Sequence, residues 1–172
     1  MARPLVRAVF VGAALTMCSA AFATAQAAPK LVTQIGDWGV YVDTAGSGKI
    51  CYALSQPKKR EPEGLNRDPA YFFISTRTAE NVKNEISVIA GFPLKEGSDA
   101  SLAIGTNNFT LYTRDTGAWV RNVAEEARVV DAMRKGQSAV VKTTSRRGNV
   151  TTDTYSLNGI SAAVDRATQE CR

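Results

Sequence analysis

The chain has 172 residues, of which 21 are Lys or Arg and 16 are Asp or Glu, and it contains no histidine. Hydrophobic residues make up 44% and charged residues 22%, which indicates a globular domain rather than a disordered chain. Without histidine, a Ser-His-Asp triad, a Cys-His pair, an imidazole general base and a His-ligated zinc or haem site are all excluded.

Residues 1–27 have the pattern of a secretory signal peptide. Arg3 and Arg7 precede the apolar run 8–15, and small residues lead to Ala27, where we expect cleavage, with Ala25 as the alternative. A membrane anchor is less favoured because the apolar run is too short to span a bilayer comfortably. A lipoprotein is also less favoured, because Met17 is bulky for the position before the cysteine of a lipidation site. The sequence therefore predicts an exported protein that is periplasmic, outer-membrane associated or secreted, with residues 28–172 as one domain.

Cleavage after Ala27 would change the inventory of reactive side chains. It leaves 19 basic and 16 acidic residues, a net charge of +3, and Met133 as the only methionine. Cys51 and Cys171 remain, and two cysteines in an exported chain predict one disulfide between them. The small net charge and the lack of a basic stripe with interleaved aromatics argue against a nucleic-acid partner.

Short segments rich in β-branched and aromatic residues, separated by Gly, Asn, Asp and Pro, predict a mainly-β domain. In chain order, strands are expected at residues 35–42, 50–54, 71–77, 85–90, 101–104, 109–113, 139–144 and 150–157. We expect the first two to pair as a hairpin, and a turn at 146–149 to join the last two.

Two segments predict helices. Asn122 and Glu125 have capping-box spacing at the start of the first helix, and Gly136 ends it. The residues expected at helical intervals along it are Val123, Ala127, Val130 and Met133 or Arg134.

The second predicted helix is C-terminal, with Ser161 as its expected N-cap. Its apolar stripe consists of Ile160, Val164, Ala167 and Cys171. A bridge from Cys171 to Cys51 would hold this helix against the N-terminal strands. The fold class that follows is a β-sandwich or open barrel of antiparallel strands with two short helices.

The charged loop 56–69 is the first candidate for a binding surface. Lys58, Lys59 and Arg60 could meet an anionic surface such as lipid headgroups or polysaccharide. The alternative is an ordinary solvated loop, because Glu61, Glu63 and Asp68 largely cancel the positive charge. Arg146 and Arg147, in the predicted turn 146–149, complete the candidate binding residues.

No catalytic, metal-ligating or cofactor-binding residue is predicted. Glu125 and Glu126 are adjacent, but neighbours on a helix point about 100° apart, and acids in a first turn are explained by the helix dipole. Trp38 and Trp119 could stack on a sugar, although a tryptophan in a strand pattern is more often a core residue.

A series of short blocks in the mature chain resembles the invasion-associated locus B family. In order they are Gly36-Asp-Trp38, Gly91-Phe-Pro-Leu-Lys-Glu-Gly97, Ala118-Trp119, Ala132-Met-Arg-Lys-Gly136, Arg147-Gly148, Tyr155-Ser-Leu-Asn-Gly159 and Cys171. Many members of that family have a cysteine shortly after the first tryptophan, and residues 39–43 of this chain have none. The resemblance implies a small exported protein of alphaproteobacteria, in a family whose founding members are linked to host-cell invasion, and it supplies no catalytic residues.

These observations together predict an exported, non-enzymatic envelope protein that acts by binding or by supporting the envelope, and that contributes to host-cell association in pathogens. Its expected partner is an envelope protein, a glycan or a host-surface component, and peripheral membrane association is compatible with this. Two alternatives stay open, namely a small carboxylate-dependent hydrolase of envelope glycan and a subunit or inhibitor within an envelope complex.

Overall fold

Eleven strands and two helices make up the described part of the chain. The computed structural model describes residues 28–45 and 48–172, so the predicted signal peptide lies outside the described residues. The elements are β1 (Lys30–Ile35), β2 (Trp38–Ala45), β3 (Gly48–Ser55), β4 (Lys59–Glu61), β5 (Tyr71–Arg77), β6 (Val82–Ile89), β7 (Asp99–Ile104), β8 (Asn107–Arg114), β9 (Gly117–Val120), α1 (Val123–Lys135), β10 (Ser138–Thr144), β11 (Val150–Ser156) and α2 (Ile160–Glu170).

All of these strands belong to one sheet in the order β1-β2-β3-β5-β6-β9-β8-β7-β10-β11-β4, and every pairing is antiparallel. β1 and β4 are the edge strands and do not pair with each other, so the sheet is not closed into a barrel. The Trp38 indole in β2 donates a hydrogen bond of 3.0 Å to the carbonyl oxygen of Ser156 in β11. Since these two strands lie far apart in the sheet order, this contact shows that the sheet curls. The predicted class, antiparallel β with two helices of which one is C-terminal, is confirmed.

One core cluster lies on the inner face of the curled sheet. The Phe72 ring of β5 contacts Trp38 and Tyr155, with ring centroids 5.9 and 5.4 Å apart, and all three side chains are fully buried. The buried residues of both helices, including Met133 of α1 and Val164 of α2, belong to the same cluster. The strand residues that alternate with this core therefore form a separate outer face of the sheet.

The predicted strand 35–42 is wrong as a single element. The chain turns at Gly36 and Asp37, so that β1 and β2 form a hairpin. Gly36 has a φ of +57°, and a Cβ there would lie 2.5 Å from the carbonyl oxygen of Asn158, so this turn fits only glycine. The expected β2–β3 hairpin and the turn between β10 and β11 are confirmed. The strands β1, β4 and β9 were not predicted.

Helix α1 has the predicted caps but a different buried face. The Asn122 side chain accepts a 2.9 Å hydrogen bond from the Glu125 amide, and the Gly136 N–H bonds to the last turn. The prediction for Val123 is wrong, since its side chain is 74% exposed. Ala127 is exposed too, whereas Val130 and Met133 are buried as expected, together with the unpredicted Glu126 and Val129.

Helix α2 packs as predicted through Ile160, Val164 and Ala167. The expected N-cap at Ser161 is wrong, because Gly159 occupies that position with a φ of +89° and no side chain caps the helix. The Cys51–Cys171 disulfide is confirmed, with the two Cα atoms 5.8 Å apart. Cys51 is buried in β3 and Cys171 is half-buried at the end of α2, so the bridge ties the last turn of the helix to the sheet.

Candidate binding surface

Lys58 and Lys59 each lie beside a carboxylate of this chain. Lys58 Nζ lies 2.5 Å from a carboxylate oxygen of Asp37, and its hydrogen bond is the largest cause that lowers the pKa of Asp37. Lys59 Nζ lies 2.7 Å from Glu61. Both lysines keep exposed side chains, but their charges are balanced locally, for Lys59 by an acid of the loop and for Lys58 by Asp37 of the turn before β2.

The Arg60 guanidinium is bound by other groups of the protein and is not free to meet a ligand. Its guanidinium donates to Asp153 Oδ1 at 3.2 Å and to the carbonyl oxygens of Asp68 and Ala90 at 2.8 and 2.7 Å. The second arginine of the loop, Arg67, is only 8% exposed and lies 3.7 Å from the same Asp153 oxygen. Burial raises the pKa of Asp153, and the hydrogen bond from Arg60 opposes that shift. This cluster holds the loop 56–69 against β11.

Arg146 and Arg147 are exposed in the turn between β10 and β11, and neither forms an ion pair within residues 28–45 and 48–172. Arg60 lies opposite Asp153 of β11. Gly148, which directly follows Arg147 in the turn, is five residues before Asp153, or about 17 Å along an extended chain. Arg146 and Arg147 are therefore far from Arg60. The five predicted basic residues therefore do not form one patch.

The neighbouring acids Glu85, Glu125 and Glu126 do not face a common open site. Glu126 is 7% exposed, and burial is the main cause that raises its pKa, with the charge of Glu85 adding to it. Both oxygens of Glu85 are held by Arg77 at 2.7 and 2.9 Å, so Glu85 is committed to a bidentate ion pair. Glu125 is half-buried in the first turn of α1.

A Ser-x-x-Lys spacing, which in some hydrolases joins a serine nucleophile to a lysine base, occurs at Ser55 and Lys58. The Ser55 hydroxyl donates to the backbone oxygen of Asp37 at 2.8 Å, and Lys58 is paired with the carboxylate of the same residue. Neither group is directed at the other. Among the described residues, no group of three or more Cys, Asp or Glu side chains is placed to hold a metal ion.

The two tryptophans occupy different faces of the sheet. Trp38 is a core residue, as predicted, whereas Trp119 is half-buried on the outer face. We call the aromatic side chains on that face the outer aromatic face; it consists of Tyr41, Tyr52, Tyr71, Phe73, Tyr112 and Trp119.

Neighbouring strands bring this aromatic set together in register. Phe73 of β5 lies opposite Ser87 of β6, Ser87 opposite Trp119 of β9, and Trp119 opposite Tyr112 of β8. The Tyr112 and Trp119 rings stack with centroids 5.7 Å apart, and those of Tyr41 and Tyr52 stack at 5.3 Å. Because this row crosses β5, β6, β9 and β8, the single sequence positions give no sign of it.

A polar groove of about 370 Å³ continues the outer face beyond Tyr112. We call it the outer groove; its polar lining comes from Asp99, Ser101, Thr110, Lys142 and Thr144, with Val150 at one end. Tyr112 lies directly opposite Asp99 across β8 and β7, so the outer aromatic face and the outer groove are continuous. Lys142 lies opposite Ser101 in β7 and is exposed, with no ion pair inside the described ranges.

Further cations surround one end of the outer groove. The Lys95 amide donates to the carbonyl oxygen of Thr144 at 2.9 Å, and the turn that carries Arg146 and Arg147 begins directly after Thr144. The register that sets Lys142 opposite Ser101 brings Asp99 level with Thr144. The Asp99 carboxylate is bound by Arg121 at 2.9 Å, and that guanidinium also lies over the Tyr112 ring. Two of the five predicted residues thus belong to this surface, and the sequence prediction missed Lys142 and Tyr112.

Comparison with known proteins identifies the family to which the chain belongs. Within the described residues, neither helix is long and apolar enough to cross a membrane. No curated protein and no solved structure matches the chain. The model of the Invasion associated locus B (IalB) protein family matches residues 38–168, well over half of the chain. The match begins at Trp38 and contains both β5 and the strands of the outer groove. The chain therefore belongs to the invasion-associated locus B family.

Proposed function

We propose that this protein is exported and acts in the cell envelope by binding, without catalysis, through its outer aromatic face and outer groove. The observation that carries the proposal is the continuity of the stacked Tyr112 and Trp119 rings with a groove that contains Lys142, which has no ion pair among the described residues. A concave site with a few convergent polar groups beside aromatic surface is a usual form of a ligand site.

Export is supported by the sequence of residues 1–27 and is compatible with the Cys51–Cys171 disulfide, because disulfides persist mainly in oxidising compartments. The expected mature protein begins at Ala28, after cleavage behind Ala27. Fractionation of cells followed by N-terminal sequencing tests this directly. Protein that is recovered only from the cytoplasm with Met1 intact would contradict it.

Binding is favoured over glycan hydrolysis because the acids near each other are already committed. Glycosidases need two carboxyl groups that face a shared substrate position. Here Glu126 is buried and Glu85 is clamped by Arg77. A role as a subunit or inhibitor of an envelope complex would use the same surface as binding does, and in a pathogen so would association with a host cell.

Site-directed photo-crosslinking in the native envelope tests the proposal. A photoreactive amino acid at the position of Ser101, in the outer groove, should give crosslinked adducts when intact cells are illuminated. The matched control places the same group at Glu63, which is also exposed but lies in the loop 56–69. Adducts at position 101 that are absent at position 63 support the proposal, whereas the same yield at both positions, or none at position 101, overturns it.

A further inference from the structure

We propose that the ligand of the outer groove is an acidic polysaccharide, a chain of sugar rings that carry carboxylate or phosphate groups. This inference rests on the proposed function and names the chemistry of its ligand. It combines two features of one surface, a pair of aromatic rings at one end and an excess of cations at the other.

The aromatic end suits a sugar ring. Tyr112 is 37% exposed, stacks with the half-buried Trp119 and carries the Arg121 guanidinium over its ring, so the pair keeps only part of its aromatic surface exposed beside Asp99 of the groove. Tyrosine and tryptophan side chains have an apolar ring and one polar group, so they suit ligands that present both apolar and polar surface. A sugar is such a ligand, because its ring has apolar C–H faces and polar hydroxyl groups.

The groove itself suits the hydroxyl groups of the sugar. Its lining includes the side chains of Ser101, Thr110 and Thr144 on three neighbouring strands. Hydroxyl side chains both donate and accept hydrogen bonds, which matches a ligand whose groups do the same. From Tyr112 to Lys142 the surface crosses two strand spacings and two residues along the strand, about 12 Å. A ligand that reaches both must be extended, which favours a chain of several rings over a single sugar.

Charge decides between a neutral and an acidic chain. Lys142 is part of the groove lining, and the backbone of Lys95 and the turn that carries Arg146 and Arg147 adjoin the lining residue Thr144. No ion pair involves any of these four side chains in the part of the chain that the structure describes. The lining acid Asp99 is neutralised by Arg121. The lining thus holds one acid, which is paired with an arginine, and one cation, Lys142, so the charge left for a ligand is positive and attracts an anion.

Anionic lipid could also meet Arg146 and Arg147, but the surface favours a glycan. Val150 is the one large apolar side chain among the lining residues, and it lies at the end of the groove. The remaining polar lining, with the hydroxyl side chains of Ser101, Thr110 and Thr144, suits the hydroxyl groups of a sugar better than acyl chains. Lipid binding is therefore an outcome that the test must separate.

The experiment measures binding of the protein, produced from the full chain, to an oligogalacturonate and to its methyl ester by isothermal titration. The methyl ester keeps the rings and hydroxyl groups and removes the charge. Lys142→Gln should weaken binding to the acidic form up to about fivefold, as expected for one partly exposed ion pair. Lys83→Gln removes the same charge from an exposed position of β6 outside the groove and should leave the affinity unchanged.

The aromatic end is tested with Tyr112→Ala and Tyr112→Phe. Loss of the ring should weaken binding to both the acid and the ester, while Tyr112→Phe should keep it. Thermal unfolding of each variant identifies any that fail to fold. If Tyr112→Ala is unstable, the comparison of Lys142→Gln with the wild type still tests the proposal.

Preference for the acid over the ester that is reduced in Lys142→Gln but not in Lys83→Gln supports the proposal. Equal binding of acid and ester, no binding of either, or equal effects of the two lysine variants overturns it. So does binding to phosphatidylglycerol vesicles, over phosphatidylcholine vesicles, that exceeds binding to the oligosaccharide. Crosslinks at position 101 to a protein would leave the proposed function standing while this inference fails.

Discussion

Removing the Cys51–Cys171 disulfide, as the double variant Cys51→Ala/Cys171→Ala, is expected to lower the free energy of unfolding by about 5 kcal/mol. The bridge joins residues 120 positions apart, and the chain-entropy model assigns a loop of that length about 5 kcal/mol at 25 °C, because the unfolded chain loses conformational freedom. Alanine suits the buried Cys51 position, since serine would bury a hydroxyl group there. A loss of this size approaches the whole stability of a typical domain.

Urea unfolding followed by the fluorescence of the buried Trp38 measures the effect, with and without a reducing agent. The oxidised protein should lose the same stability on reduction as it loses in the double variant, and the reducing agent should not affect the double variant. A difference of less than about 1 kcal/mol between oxidised and reduced protein would show that the long loop contributes little to stability.

Three further changes test the interior and the first helix. Asp153→Asn should cost about 3 kcal/mol in urea unfolding, because Arg60 and Arg67 would keep buried charges without their carboxylate; an unchanged midpoint would contradict this. Burial raises the pKa of Glu126 above 4.5, so its ionised form destabilises the fold only as the pH rises above that value. Glu126→Gln should thus be more stable than the wild type at pH 7 and equal to it at pH 4, and an effect independent of pH would refute this reasoning. Asn122→Ala should cost about 1 kcal/mol through loss of the N-cap hydrogen bond, whereas Asn66→Ala in the exposed loop should cost nothing measurable.

The strands were predictable where each one carries its own pattern. β5 occupies Tyr71–Arg77, the same residues that the sequence indicates, because its alternation of core and outer residues is local. The turn at Gly36 was not predictable in the same way, since it depends on contact with the Asn158 carbonyl more than 100 residues away. β4 and β9 have three and four residues, which is too short to show a period.

Helix α1 shows why local chemistry can identify an element and still misplace its face. Its caps depend on residues next to one another in the chain, and they are correct at Asn122 and Gly136. The choice of buried face depends on β6, which α1 packs against. That contact buries Glu126 and leaves Val123 in solvent, contrary to their polarity. Tertiary contacts overrode the intrinsic preference of both side chains.

The candidate site shows the same contrast between what neighbouring residues in the sequence indicate and what tertiary contacts decide. Lys58, Lys59 and Arg60 attract attention because they are consecutive, yet the fold supplies a carboxylate to each of them, at Asp37, Glu61 and Asp153. Lys142 is isolated in the sequence, and only the register of β10 against β7 places it beside Ser101 and one strand away from Thr110. In an antiparallel sheet, residues that are distant in the chain become neighbours on one face, while residues next to each other point to opposite faces. The charge that is available to a ligand is therefore set by strand register, and in this chain the basic run 58–60 marks a place where the fold has already paired its own charges.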